Sequence, residues 1–250
     1  MKNHLHGGLI AFHNRMWEIT NITENAVTFA LFSPDGDESY PGNLHVQVIY
    51  ILTPENSLRM ECIATADRPT AINLTNHAFF NLQKSKHRKS VLSHLLTLQS
   101  NSIVECDKEL IPTGNIIDIS NSFLDFSLPK TIAASILSGN KTVKKDNGFS
   151  VAYVLNKKKN LDLAAVLEDK DSGRSLELYT NQLSLQVYNG YFMNGDDIGR
   201  DNIKYYSNAG IALEPQGYPD APNHPAFPSI FIDENKQYEY VTEYRFGIGP

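Results

Sequence analysis

Two cysteines in 250 residues, Cys62 and Cys106, are too few for a disulfide framework and are not at a metal-ligand spacing. Both fall in strand-like runs, where a free Cys usually behaves as a small buried residue. No apolar run approaches the length that spans a bilayer, so no membrane partner is expected. Met1 to Gly8 lacks the apolar stretch of a signal peptide, and a cytoplasmic location is the expectation. Basic residues are outnumbered, 22 against 28 acidic, for a formal net charge of -6 without any basic stripe, which argues against nucleic acid as a partner. The one short basic run, Lys157-Lys158-Lys159, reads as a solvated hairpin turn. Helical periodicity is also scarce: only Pro129 to Leu137 has a short helical look.

What the chain does have is apolar residues, 41%, and aromatics, 10%, enough for an extended core. They alternate with polar residues at the two-residue period of strands. Ala26–Phe32, Leu44–Leu52, Leu58–Ala64, Leu92–Leu98, Phe149–Leu155, Leu161–Leu167, Arg174–Tyr179, Leu183–Tyr188 and Gly210–Glu214 read this way. Turn signals separate them at Ser33-Pro34-Asp35-Gly36, Pro41-Gly42-Asn43, Pro112-Thr113-Gly114 and Asp171-Ser172-Gly173. Many strands, few helices and no linker predict an all-β fold, a large antiparallel β-sandwich, in one domain over residues 1–250.

Three segments depart from this packing pattern. Asn73-Leu74-Thr75-Asn76-His77-Ala78-Phe79-Phe80-Asn81-Leu82 reads as a strand, yet it carries three amides and an imidazole. Polar groups on a half-buried strand are costly unless partnered, so a cluster of them points to a pocket. Histidine as a residue type titrates near neutral pH, so His77 suits acid–base work; the plainer alternative is a core histidine satisfied by backbone. The second segment runs from the apolar strand at Gly210 into Glu214 and a loop with four prolines ending at Pro225. Glu214, at a strand end and followed by stiffening prolines, is placed to act as a general base; the alternative is a surface acid in an ion pair. In the third, Asn3-His4-Leu5-His6-Gly7-Gly8, His4 and His6 would share a strand face. That spacing can ligate a metal, but no carboxylate or further His completes a ligand pattern, and no metal is expected.

Read in order, these segments resemble the aldose 1-epimerases, or galactose mutarotases. The motifs are Asn3-x-Leu5-His6-Gly7-Gly8 with Arg15 and Trp17, Ser33-Pro34-Asp35-Gly36, Tyr40-Pro41-Gly42-Asn43-Leu44 and Asn73 through Leu82. They continue through Ile111-Pro112-Thr113-Gly114, Asp125-Phe126, Ser172-Gly173-Arg174 and Gln186-Val187-Tyr188-x-Gly190. Leu213-Glu214-x-Gln216, Tyr218-Pro219-Asp220-Ala221 and Tyr244-Arg245-Phe246 complete the series, which covers essentially the whole chain. The resemblance implies the galactose mutarotase-like supersandwich and interconversion of the α and β anomers of free aldohexoses such as glucose and galactose. It implies His77 as the acid toward the ring oxygen, Glu214 as the base at the anomeric hydroxyl, and His6 as a second histidine near the ring oxygen. Asn81, Ser150, Gln186 and Tyr188 would line or support the sugar pocket. No cofactor or metal is implied, and the partner would be a small sugar, with the protein a monomer or weak homodimer.

Two departures qualify this. Family members place a Gly-aromatic-Asp-His-Asn run where this chain has Gly148-Phe149-Ser150-Val151-Ala152, so Ser150 replaces a sugar-binding carboxylate. A serine binds a hydroxyl less strongly than an ionised acceptor does, and Asp146 is the nearest candidate to compensate. Family members also carry strands, and an arginine that reaches the sugar, before the motif that here begins at residue 3; the resemblance is to an N-terminally shortened member. Both departures lead to an expectation of reduced activity, and the alternative reading is a carbohydrate-binding protein with little or no turnover. A sugar-phosphate epimerase is less well matched, because no Arg/Lys cluster for phosphate is present.

Overall fold

The computed structural model describes residues 3–84, 90–157, 160–199 and 202–248. These group into two compact units, Met1–Leu74 with Ser229–Glu243, and Thr75–Pro228 with Tyr244–Pro250. Lys158 and Lys159 of the basic run lie outside the described residues.

The first unit begins with a meander of β1 (Glu18–Ile22), β2 (Ala26–Ser33), β3 (Leu44–Leu52) and β4 (Ser57–Ala66), each antiparallel to the next. Val, Ile, Leu and aromatic residues at every second position drive these strands, because alternate side chains meet the same layer. Leu44, Val46, Ala64 and Ala66 turn inward with Ile72 and Ile232, and Phe12 and Trp17 pack against them. β5 (Thr70–Ala71) follows.

The second unit is built from two antiparallel sheets. One has the order β6-β17-β14-β11-β8-β9, with β6 (Phe79–Phe80), β8 (Ser102–Cys106), β9 (Pro112–Asp118), β11 (Ser150–Val154), β14 (Ser184–Tyr188) and β17 (Ile211–Gln216). In the other, β7 (Leu95–Leu98) pairs with β10 (Lys130–Thr131) and with β12 (Asp162–Asp169), and β12 pairs with β13 (Arg174–Thr180). Inward residues of both sheets, among them Leu96, Leu98, Leu167, Leu176, Tyr153, Leu185 and Leu213, share one core, so this unit is a sandwich as the sequence predicts. β15 (Asn194–Ile198) and β16 (Lys204–Tyr206) form a separate hairpin. The chain then returns to the first unit, where β18 (Phe231–Ile232) pairs with β5. The last strand, β19 (Tyr238–Ile248), gives its residues through Glu243 to the first unit and the rest to the second.

The predicted helix appears as α1 (Ile132–Ser138), started by Thr131, whose side chain accepts the Ala134 N–H. A second helix, α2 (Lys141–Asp146), was not foreseen. Asn140 caps its start and Asn147, at φ 53°, ends it. Six lysine-rich residues carry no apolar period, so only the caps mark it.

Three other expectations are corrected. Asn73–Leu82 is not a continuous strand: only Phe79 and Phe80 join a ladder, opposite Ala212 and Ile211. The Asn76 and Asn81 side chains accept the N–H groups of Ala78 (2.8 Å) and Gln83 (3.0 Å), local bonds that compete with a strand ladder. Pro112-Thr113-Gly114 is not the turn but the start of β9; the chain reverses just before it, at Asp107–Leu110, with Leu110 at φ 63°. Pro is tolerated at the first residue of a strand, which is why its turn signal misleads here. His4 and His6 do not share a strand, because residues 3–10 form turns and bends with His6 at φ 58°.

Leu176 is fully buried where the two sheets of the second unit meet, whereas Leu128 is 76% exposed. Leu176→Ala is expected to lower stability by about 2–5 kcal/mol and Leu128→Ala by less than about 0.5 kcal/mol, read by urea denaturation.

Candidate active site

Strand register builds the site. Phe79 lies opposite Ala212, Ala212 opposite Tyr188, and Tyr188 opposite Ser150; in the next row Glu214 lies opposite Gln186. Side chains directly opposite share a face, so Phe79, Tyr188, Ser150, Gln186 and Glu214 all stand on one side of the six-stranded sheet. The other side carries Ile211, Leu213, Leu185, Val187 and Tyr153 into the core. The period of two that hides the apolar residues therefore presents the polar ones together.

His77 reaches this face from two residues before Phe79. Its ring lies 5.1 Å from the Phe79 ring, and its Nε2 is 3.6 Å from Glu214 Oε1. Glu214 is only 5% exposed. Burial disfavours the ionised carboxylate and pushes its pKa from 4.5 up to about 7. A carboxyl that titrates near neutrality beside an imidazole gives two groups able to exchange protons at the pH of the cell. The sequence pair His77 and Glu214 is thus brought together.

The supporting residues divide. The Gln186 side-chain amide donates to Ser150 Oγ at 2.8 Å, which leaves the serine's own proton as a donor. The Tyr188 ring lies edge-on to His77 at 6.5 Å and to Phe79 at 5.8 Å, and its hydroxyl accepts the Phe192 N–H at 3.1 Å. Burial raises the Tyr188 pKa, so the phenol stays neutral. Asn81 is engaged as a brace: its amide donates to the Ala209 carbonyl at 2.8 Å and its oxygen accepts the Gln83 N–H. Asp146 closes α2 and bears on Tyr191 electrostatically. His6 belongs to the first unit, where partial desolvation and then the His13 ring, edge-on at 6.1 Å, lower its pKa. His4 pairs with the Tyr40 hydroxyl at 3.1 Å. Among the described residues no group of three or more His, Cys, Asp or Glu is placed to hold a metal ion.

The sequence profile of the aldose 1-epimerases matches residues 1–245. The chain belongs to the aldose 1-epimerase family. It is 36% identical over 247 residues to the aldose 1-epimerase of Haemophilus influenzae, covering 98% of this chain and 71% of that protein. It is 33% identical over 246 residues to the galactose mutarotase of Bos taurus, covering 98% of this chain and 70% of that protein. The crystal structure of a GalM/aldose epimerase homologue from C. elegans superposes with a TM-score of 0.90 at 28% identity, over 99% of this chain and 73% of that one. This epimerase-family sheet also carries site-face residues that sequence reasoning did not single out. Phe79 is one; its signal was present, since it stands two residues after His77 on an extended backbone. Tyr191 and Phe192 are others, stacked at 4.1 Å beside Tyr188, and they were visible only as an aromatic pair.

The raised pKa of Glu214 has a stability consequence of definite sign. The folded state holds the proton more tightly than the unfolded chain, so this contribution is complete below pH 4.5 and is lost as pH rises through about 7. At pH 8 it amounts to a destabilisation of up to about 3 kcal/mol. Glu214→Gln is expected to raise stability at pH 8 by about 1–3 kcal/mol and to flatten its fall between pH 5 and 8, as read from melting temperature against pH.

Proposed function

We propose that this protein is an aldose 1-epimerase, with residues 1–250 acting as one catalytic domain that interconverts the α and β anomers of free aldohexoses. The observation that carries the reading is the 3.6 Å approach of His77 Nε2 to a buried Glu214 carboxylate on a face that also presents Tyr188, Gln186 and Ser150.

The ring oxygen and the anomeric hydroxyl of an aldose are bonded to the same carbon, so an acid and a base this close can address both at once. Glu214 takes the proton of the anomeric hydroxyl while His77 delivers one to the ring oxygen. The bond from C1 to the ring oxygen breaks, and an open-chain aldehyde forms. Rotation about C1–C2 turns the other carbonyl face to the ring-closing hydroxyl. Closure then runs the transfers backward: His77 recovers its proton and Glu214 releases its own to the new anomeric oxygen. The cycle returns both groups to their starting state with no net proton change. Each positioned acid–base group contributes about 10²–10⁴-fold, which suits a reaction that already proceeds in water.

Tyr188 and Phe79 offer aromatic surface to the apolar face of the sugar, and Gln186 and Ser150 offer hydrogen bonds to its hydroxyls. With Ser150 the pocket has one fewer carboxylate than its relatives' motif, so hydroxyl binding rests on neutral groups and a high KM follows. Asn81 completes the proposal as the brace of the His77 segment.

The test is polarimetry of freshly dissolved α-D-glucose and α-D-galactose. Wild type should speed the approach to equilibrium, and His77→Gln and Glu214→Gln should each lower kcat by about 10²–10⁴-fold. The wild-type rate, corrected for buffer, should climb as pH rises through about 7, where Glu214 becomes a base. If wild type and His77→Gln both match buffer alone, the enzymatic reading fails, and sugar binding without turnover takes its place.

A further inference from the structure

We infer that His94 is a positioning residue for the reaction: its imidazole anchors the backbone at Leu82 and thereby fixes the segment that aims His77 at Glu214. The inference rests on the assignment of those two as the acid–base pair.

His94 is fully buried, and neither the sequence motifs nor the proposed chemistry uses it. Its Nε2 accepts the Leu82 N–H at 3.0 Å. An imidazole nitrogen that accepts carries no proton, so the ring is neutral with its proton on Nδ1. Nδ1 is itself buried, with no hydrogen-bond partner among the described residues. Burying an imidazole for one backbone contact is costly, and an apolar residue would fill the space at lower cost. Desolvation lowers the His94 pKa against the opposing charge of Asp169, which keeps Nε2 free to accept at neutral pH.

The position of the anchor is what gives it a role. Between Asn76 and Gln83 only Phe79 and Phe80 have strand partners, and these lie on β17, the strand that carries Glu214. Asn81 ties the next residue to the Ala209 carbonyl just ahead of β17. Leu82 is then held at both ends of its backbone: His94 takes its N–H, and Arg174 donates to its carbonyl at 3.2 Å and to that of Gln83 at 3.0 Å. His94 is itself fixed, because its N–H bonds the Val91 carbonyl and its carbonyl accepts from Ile132 at the start of α1. A short ladder with a rigid stop behind it cannot slide along β17, and sliding is the motion that would carry His77 off Glu214.

Two amides separate this role from simple packing. Gln places its carbonyl oxygen where Nε2 stands, whereas Asn mimics only Nδ1 and cannot reach Leu82. His94→Gln should keep kcat within about twofold of wild type, and His94→Asn should lose about 10–100-fold in kcat with KM little changed, as a misplacement of about 1 Å costs. Amide exchange of Leu82, followed by NMR without sugar, should stay slow in His94→Gln and become fast in His94→Asn. Equal kcat in the two variants, or slow Leu82 exchange in a folded His94→Asn, overturns the inference. Should His94→Asn fail to fold, His94→Gln decides alone: folded with wild-type kcat and slow exchange supports the anchor, folded with lost kcat overturns it. If wild type itself does not turn over sugar, the activity reading fails, and the exchange and the His77 ring resonances in the two variants still decide whether His94 sets the segment.

Discussion

The side chain of Glu214 sits out of water on a strand laddered to β14, and the proposed chemistry depends on that placement. A carboxylate in solvent is a weak base that is ionised at every physiological pH. Held by the β14–β17 register with an inward leucine on either strand beside it, Glu214 cannot swing out to recover its hydration. The protein holds a poorly solvated acid because the core on the other face of the same strand, with Leu213 and Ile211 fully buried, fixes the backbone. The stability of the second unit and the raised pKa of Glu214 therefore come from one structural fact.

His77 is positioned by different means. Its segment lacks a continuous ladder and is latched by side chains: Asn76, Asn81, His94 and Arg174 each satisfy a backbone group there. Side-chain latches allow a non-repeating backbone, and a non-repeating backbone can bring an imidazole across the sheet edge toward a residue one strand over. The same latches make the segment expensive in buried polar groups, each of which must stay partnered. A laddered strand carries Glu214 and a latched strip carries His77, and the two side chains meet at 3.6 Å.

Much of this was legible in the chain. Leu44–Leu52 is a strand from end to end as its alternation predicts, and β2, β13, β14 and β17 fall within two residues of expectation. The period of two survives because burial on one face selects it. The short α2, begun by a cap and not by an apolar stripe, was invisible for the converse reason. The Pro112 turn signal failed because proline stiffens a strand start as readily as a turn. Among site residues, Glu214 and His77 stood out as polar groups in apolar contexts, while His94, surrounded by leucines in Val91-Leu92-Ser93-His94-Leu95-Leu96, offered nothing to distinguish it from packing.

The sequence by itself determined most of the strands and the family, because these follow from side-chain periodicity and from residue types in order along the chain, and it singled out His77 and Glu214 as candidates. What only the tertiary structure decided was proximity and environment: which strands pair, that Gln186 engages Ser150, that Asn81 braces, and that Glu214 is desolvated enough to titrate near 7. Those properties belong to pairs of residues far apart along the chain, 36 positions for Ser150 and Gln186 and 128 for Asn81 and Ala209. Cross-strand register and burial create them, and no local pattern in the chain encodes either.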